Sequence, residues 1–186
     1  MSITTLFPIE LSHQEIGIEI HNFAKKLWPI NRSITGEGVR NTLKLVKEHV
    51  PQLIIEEIAT GTQVFDWIIP QEWIAREAWL KTPAGQKICN FSDNNLHLLG
   101  YSIAANKTVS KEELEEHLYS RPDLPEAIPY VTSYYEPRWG FCISENQRKN
   151  LPSGDYEVFI DTNHFDGHLN YGELYLEGQS QEEIFI

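Results

Sequence analysis

The sequence predicts an α/β fold, and three of its features carry that prediction. Two amphipathic helix patterns open the chain and lead into a β-branched segment typical of a strand. A tryptophan-rich middle segment is divided into short strands by turn residues, and alternating apolar and polar residues return towards the end of the chain. The 186 residues are enough for one domain that carries a modest insertion.

Two helices are predicted within the first 50 residues. Ser12 and Glu15 form a capping-box pattern, in which each side chain bonds the backbone amide of the other. Apolar residues then recur at helical spacing as far as Leu27, and Pro29 ends the element. After a glycine-rich turn, the same spacing predicts a second helix over 39–50.

Strands are predicted after these helices. Residues 53–58 are mostly β-branched and indicate the first strand. Segments 77–82 and 86–91 flank Pro83-Ala84-Gly85, whose turn chemistry predicts a hairpin.

The middle of the chain also predicts two short helices. Ser110 caps one that we expect to end near Tyr119, and Ser144 caps the other. Four prolines at and between Pro122 and Pro137 predict an extended, rigid connection.

Three further strands are predicted near the end, over 156–160, 169–176 and 183–186. The last is strongly apolar and unfinished, so we expect the chain to be either a fragment of a longer protein or a truncated form of one.

Charge and composition limit the function. The net charge of −12 repels polyanions, so we expect no nucleic-acid partner. No apolar run approaches the roughly 18 residues of a membrane helix, so we expect no membrane partner and a cytoplasmic location. Cys89 and Cys142 are expected to be reduced and buried.

Two groups of residues could carry chemistry. His164, Asp166 and His168 alternate, and in an extended strand they would share one face and suit zinc. Asp166-Gly167 is also a strong hairpin-turn signal, which would separate the two imidazoles, and both interpretations remain open. The second group is aromatic and lines either a ligand cleft or the core: Trp67, Trp73, Trp139, Tyr130, Tyr134 and Tyr135.

Four stretches resemble one protein family. They are 27–39 (LWPINRSITGEGV), 61–73 (GTQVFDWIIPQEW), 94–102 (NNLHLLGYS) and 128–142 (IPYVTSYYEPRWGFC). In this order they resemble the N-terminal portion of bacterial aminopeptidase-like proteins, whose zinc-peptidase domain carries an inserted domain of unknown function.

The resemblance implies a partial αβα sandwich of the zinc-aminopeptidase type, with a mostly parallel sheet and an inserted mixed α+β subdomain. Residues 1–66 would be the first part of the aminopeptidase-like domain. Residues 67–151 would be the aromatic-rich insertion, and 152–186 the returning strands of a domain that is incomplete in this chain.

The activity implied by the resemblance is removal of N-terminal residues from a peptide or peptide-like substrate. Metal ions, usually zinc, would activate the attacking water, and a carboxylate would act as general base. The family's first metal ligands follow the strand that matches 183–186, so this chain supplies no catalytic residue and binds no cofactor by itself. Zinc is expected only for the complete protein, and the missing C-terminal half or an oligomer partner would complete the sheet.

The alternative is a non-catalytic module that binds a peptide or saccharide. In either case the polar and aromatic residues of the family-like stretches are the candidates for lining a substrate cleft, or for holding the insertion through buried hydrogen bonds. These candidates are Arg32, Asn95, His97, Tyr134, Tyr135 and Arg138.

Overall fold

The computed structural model describes residues 12–178 and residue 180. The chain divides into two compact units, 1–31 and 32–186. The elements, in chain order, are α1 (His13–Leu27), α2 (Glu37–His49), β1 (Ile54–Ala59), β2 (Gln63–Val64), β3 (Trp67–Ile68), β4 (Glu72–Lys81), β5 (Lys87–Ile88), β6 (Ala105–Ser110), α3 (Lys111–Glu115), β7 (Leu118–Tyr119), β8 (Phe141–Cys142), α4 (Glu145–Lys149), β9 (Asp155–Phe165) and β10 (His168–Glu173).

The described part of the first unit contains α1, which begins as the sequence predicts. The Ser12 hydroxyl accepts a hydrogen bond from the Glu15 amide at 3.3 Å, and the Glu15 carboxylate accepts one from the Ser12 amide at 2.8 Å. Both halves of the capping box are therefore present.

In the second unit, α2 packs on a two-stranded ribbon formed by β1 and β10. The strands are antiparallel, with Ile54 opposite Glu173 and Ala59 opposite His168. Gly172 allows the close approach of α2, because a β-carbon there would lie 3.0 Å from the Leu43 side chain. The predicted second helix and first strand are confirmed.

A four-stranded antiparallel sheet, in the order β5-β4-β9-β6, forms the centre of the second unit. Apolar side chains on one face of β9, among them Tyr156, Val158 and Ile160, alternate with more exposed ones and are almost fully buried. They join a core that also includes Trp73, Leu80, Leu114 and Phe141.

Two elements are shorter in the structure than the sequence predicts. The helix that begins after Ser110 ends at Glu115, not near Tyr119, because Leu118 is buried and its segment pairs in parallel with β8. The second strand of the predicted hairpin is only Lys87–Ile88, since Cys89 takes a positive φ of 47° that ends the extended backbone.

Asp166-Gly167 is a two-residue connection between sheets: it separates His164 from His168 as the turn interpretation predicts, but β9 and β10 do not pair with each other as in a hairpin. Phe165 at the end of β9 pairs with Glu72, whereas His168 at the start of β10 pairs with Ala59. β10 does not pair with β9 because β4 and β6 already occupy the two edges of β9.

Mixed α and β structure is confirmed, with antiparallel pairing in all the described sheets except β7–β8. The zinc-aminopeptidase sandwich and the boundaries at 66/67 and 151/152 stay predictions. The predicted strand over 183–186 lies outside the described residues. Among those that are described, no helix is long and apolar enough to cross a bilayer.

Candidate functional site around Tyr101

The four stretches that carry the family resemblance meet around the buried side chain of Tyr101. Its hydroxyl donates a hydrogen bond to the backbone carbonyl of Gln71 and lies 3.1 Å from the Thr35 hydroxyl. Thr35 comes from the first stretch, Gln71 from the second and Tyr101 from the third. Tyr134, from the fourth, packs edge-on against the Tyr101 ring with centroids 5.1 Å apart.

We call this group the Tyr101 cluster, defined as Thr35, Trp73, Tyr101, Tyr134 and His164. The ring of His164 lies edge-on to Tyr101 at 5.1 Å, and Trp73 lies at 6.0 Å. The Trp73 indole donates to the carbonyl of Ser102 at 2.9 Å, which fixes the ring. Tyr101 itself has a positive φ of 67°, a strained backbone that these contacts hold in place.

A pair of phenol hydroxyls extends the cluster towards solvent. The hydroxyls of Tyr130 and Tyr134 are 2.9 Å apart, and Tyr130 is 63% exposed. Burial, with the neighbouring Tyr130 hydroxyl, raises the pKa of Tyr134, so its hydroxyl stays protonated at neutral pH. Such hydroxyls can donate and accept hydrogen bonds to a polar ligand.

His164 is a neutral member of the cluster. Its partial burial lowers the pKa of the imidazole, although a backbone hydrogen bond with Tyr101 opposes the shift. An imidazole that is uncharged near pH 7 can bind a polar group without bringing a positive charge to the site.

A second polar group, the Glu72 cluster, consists of Arg40, Glu72, Asn170 and the backbone of His168. Both Glu72 oxygens accept hydrogen bonds from Arg40 at 2.8 Å, and one also accepts the His168 amide at 2.8 Å. Arg40 reaches the Asn170 side chain at 3.2 Å. The Arg40 hydrogen bonds lower the pKa of Glu72 against the opposing effect of burial. This cluster joins α2, β4 and β10.

The three metal-ligand candidates do not come together. His164 is in β9 beside Tyr101, whereas His168 is in β10 of the other sheet. Asp166 accepts a hydrogen bond from the Gln71 side chain at 2.9 Å. Within 12–178 and residue 180, no group of three or more His, Cys, Asp or Glu could hold a metal ion, so His164, Asp166 and His168 do not form the zinc site that one interpretation of their spacing predicts.

The substrate-cleft candidates are dispersed, and their role stays a prediction. Tyr134 lies in the Tyr101 cluster, while the Nδ1 atom of His97 is 2.9 Å from the Cys142 carbonyl. Arg32 is exposed in the turn before α2, and Asn95 is in a 3₁₀ turn. Two others are exposed, namely Tyr135 and Arg138, whose guanidinium lies 6.0 Å from the Tyr119 ring centroid.

Of the remaining aromatic candidates, Trp73 and Trp139 are core residues, and Trp67 is half-buried. Sequence reasoning missed Tyr101, Thr35, Arg40 and Glu72 as a set. The available signal was that Tyr101 and Thr35 each lie inside a family-like stretch, but their contact depends on the tertiary fold.

Residues 72–163 match the family described as "Domain of unknown function (DUF2172)". Over 172 residues, or 92% of its length, the chain is 44% identical to a Clostridium acetobutylicum protein named "Putative polysaccharide biosynthesis protein with aminopeptidase-like domain". It is also 44% identical to a crystal structure of a "putative peptidase" from the same species, with a TM-score of 0.82 over 90% of the chain.

The chain is thus similar, over most of its length, to a protein named for an aminopeptidase-like domain, and its residues 72–163 match DUF2172. The resemblance predicted from the four stretches is confirmed. The chain spans 39% of the length of the first relative and 40% of the second.

Proposed function

We propose that this chain is the N-terminal part of an aminopeptidase-like metallohydrolase that removes N-terminal residues from a peptide or peptide-like substrate. The observation that carries the proposal is the 44% identity over 172 residues to a protein named for an aminopeptidase-like domain. Because the chain spans only 39% of that protein, the metal ligands and catalytic residues would lie in a further part of the polypeptide.

In this proposal the chain shapes the substrate site and leaves the metal chemistry to other residues. Zinc, when bound, would supply an activated water. The described residues offer no group that could hold it. The Tyr130 and Tyr134 hydroxyls and the neutral His164 would contribute hydrogen bonds to the substrate and no charge of their own.

The open face of the β1–β10 ribbon supports the proposed αβα sandwich. α2 lies over one face, at Gly172. On the other face Ile54 is 53% exposed and Tyr171 is 42% exposed. A two-stranded ribbon is marginally stable by itself, so further strands and a second helical layer would bury this face. The C-terminal part of the complete protein is the expected source of both.

The experiment compares the purified 186-residue chain with the protein encoded when its reading frame is carried beyond Ile186. Both are analysed for bound zinc and for release of N-terminal residues from a panel of aminoacyl substrates. We expect the longer protein to retain zinc and release residues, and the shorter chain to do neither. A frame that stops at Ile186, or a longer protein that is inactive and free of zinc, would contradict the proposal.

The second candidate function is a non-catalytic module that binds a peptide or saccharide. The exposed phenols of Tyr130 and Tyr135 favour it, because such rings offer an apolar face and a polar tip to a ligand. Calorimetric titration of the chain with peptide and saccharide panels tests it, and the Tyr130→Ala and Tyr135→Ala variants should lose any affinity found. An absence of binding across both panels would exclude this function for the ligands tested.

A further inference from the structure

Phe65 is held in an unusual position at the tip of the β2–β3 hairpin. Its side chain is 97% exposed, and its backbone has a positive φ of 50°. Phe65 and Asp66 form a two-residue turn between paired strands, and glycine is the usual residue where such a turn needs a positive φ. A bulky apolar residue therefore occupies a strained and solvated position where a glycine would be easier to accommodate.

The base of this hairpin is firmly anchored. The Gly61 amide donates to the Ile69 carbonyl at 2.8 Å, and the Ile69 amide donates to the Thr62 carbonyl at 3.0 Å. Ile69 is only 2% exposed, so its side chain fixes the end of the hairpin in the core. At the tip, the Gln63 side-chain amide donates to the Phe65 carbonyl at 2.6 Å. The ring is thus presented on an ordered support.

The surface beside Phe65 combines apolar and acidic groups. Ile68 is 58% exposed, and Asp66 shares the tip of the hairpin. A complementary surface would be an apolar socket with a hydrogen-bond donor or a cation at its rim. Residues held in a strained backbone conformation cluster at functional positions, where the surrounding structure maintains the strain.

Two observations decide which surface that is. A net charge of −12 disfavours association with a second copy of the same chain. The relatives are much longer, since this chain spans 39% and 40% of their lengths, and a covalently linked segment has a high effective concentration at the hairpin.

We infer that the Phe65 hairpin, residues 61–69, docks into an apolar socket in the part of the same polypeptide that follows this chain. The inference rests on the proposed function, in that it requires the longer protein. It adds a defined contact through which the two parts are held together.

The test replaces Phe65 with the photo-crosslinking residue p-benzoylphenylalanine in the longer protein. After irradiation, mass spectrometry should find crosslinks to residues beyond 186 within one polypeptide. A mixture of isotopically light and heavy protein distinguishes these from crosslinks between copies. Crosslinks between copies, or none at all, would overturn the inference. So would equal crosslinking from the same probe at Leu124, a control that is 49% exposed and belongs to none of the candidate sites.

A second variant separates the effect of losing the docking contact from the effect of relieving the backbone strain at Phe65. Phe65→Asn removes the ring, while asparagine tolerates the positive φ. We expect the melting temperature to fall in the longer protein and to stay level or rise in the 186-residue chain. A fall in both proteins, or in neither, would refute docking. Zinc content and aminopeptidase activity are measured on the same preparations, so an inactive protein that still crosslinks would count against the proposed function alone.

Discussion

At the scale of single residues, the Tyr101 hydroxyl shows how one polar atom can join distant parts of a chain. It bonds the carbonyl of Gln71 and lies against Thr35, which are 30 and 66 residues away in the sequence. Burial raises the pKa of this phenol, so it remains a neutral donor. Removing a partner from a buried hydrogen bond costs more than the bond itself contributes.

Tyr101→Phe should therefore lower the free energy of unfolding by about 1 kcal/mol, because the Gln71 carbonyl loses one of its two hydroxyl donors and keeps only Thr35, at 3.3 Å. Urea unfolding followed by tryptophan fluorescence measures the change. Tyr135→Phe removes a hydroxyl from a side chain that is 82% exposed, and it should have almost no effect. Equal losses in the two variants would mean that the buried bond contributes nothing specific.

Glu72→Gln should cost about 2 kcal/mol, because it removes the nearly buried carboxylate from Arg40 and leaves the guanidinium paired only with the exposed Glu37. Equilibrium unfolding in urea gives the value. Glu37→Gln is the matched control: Glu37 pairs with the same Arg40, but its side chain is 56% exposed. Its loss should be about 0.5 kcal/mol or less.

The same carboxylate should make stability depend on pH. Arg40 holds the folded pKa of Glu72 below its ordinary value of 4.5. The stabilisation is therefore complete above the unfolded pKa and is lost as the pH falls through the folded pKa. Below pH 4.5 we expect the stability of the parent chain to fall more steeply than that of Glu72→Gln. Parallel slopes for the two proteins would rule out this assignment.

At the scale of elements, local signals in the sequence predicted where helices begin. The capping hydroxyls of Ser12, Ser110 and Ser144 each accept the expected backbone amide. Each of these hydrogen bonds is made within four residues of the chain, so the sequence pattern predicts it without knowledge of the fold. The end of α3 could not be predicted in this way, because it depends on the pairing of Leu118 with a strand 23 residues further along the chain.

Contacts made by the fold explain what the sequence could not predict about the candidate site. Tyr134 was recognised as a cleft candidate from its stretch and its chemistry. Glu72 and Arg40 are ordinary charged residues in the sequence, and only the approach of α2 to β4 makes them a partly buried pair. The two histidines were recognised as a pair, but the partner strands of β9 and β10 place them in different sheets.

Gly167, in the connection between β9 and β10, should not tolerate a side chain. A β-carbon there would meet the Glu72 carboxylate, with the Cδ atom at 2.6 Å, and Arg40 prevents that group from moving away. Gly167→Ala should lower stability by about 2 kcal/mol, measured by urea unfolding.

The control is Gly17→Ala, in the interior of α1, where a β-carbon meets nothing within 4 Å. It should instead increase helix stability by about 1 kcal/mol, recorded by far-ultraviolet circular dichroism. A destabilised Gly17→Ala, or a Gly167→Ala variant as stable as the parent, would argue against the packing described.

At the scale of the whole molecule, both cysteines lie in the core. Burial raises the pKa of Cys89 and of Cys142 to about 12 in each case. The thiolate is the reactive form, so the folded chain should resist a thiol reagent at pH 8.

Labelling of the two thiols should follow global unfolding. We expect rapid modification of both in urea and slow modification in buffer, with a rate that rises when Glu72→Gln destabilises the chain. Mass spectrometry after timed quenching counts the labels. Fast labelling of either thiol in the folded chain would show that its segment opens locally.

The pairing of Glu72 with Phe165 brings together the two ends of the region that matches DUF2172. The β1–β10 ribbon lies outside it and joins residues 54 and 173. Closing so long a loop in an unfolded chain is entropically unfavourable, whereas a folded inner region brings β1 and β10 close. Folding should therefore proceed from the inside outwards, with the ribbon forming last. A kinetic intermediate would then protect the amides of β4 and β9 from exchange before those of β1.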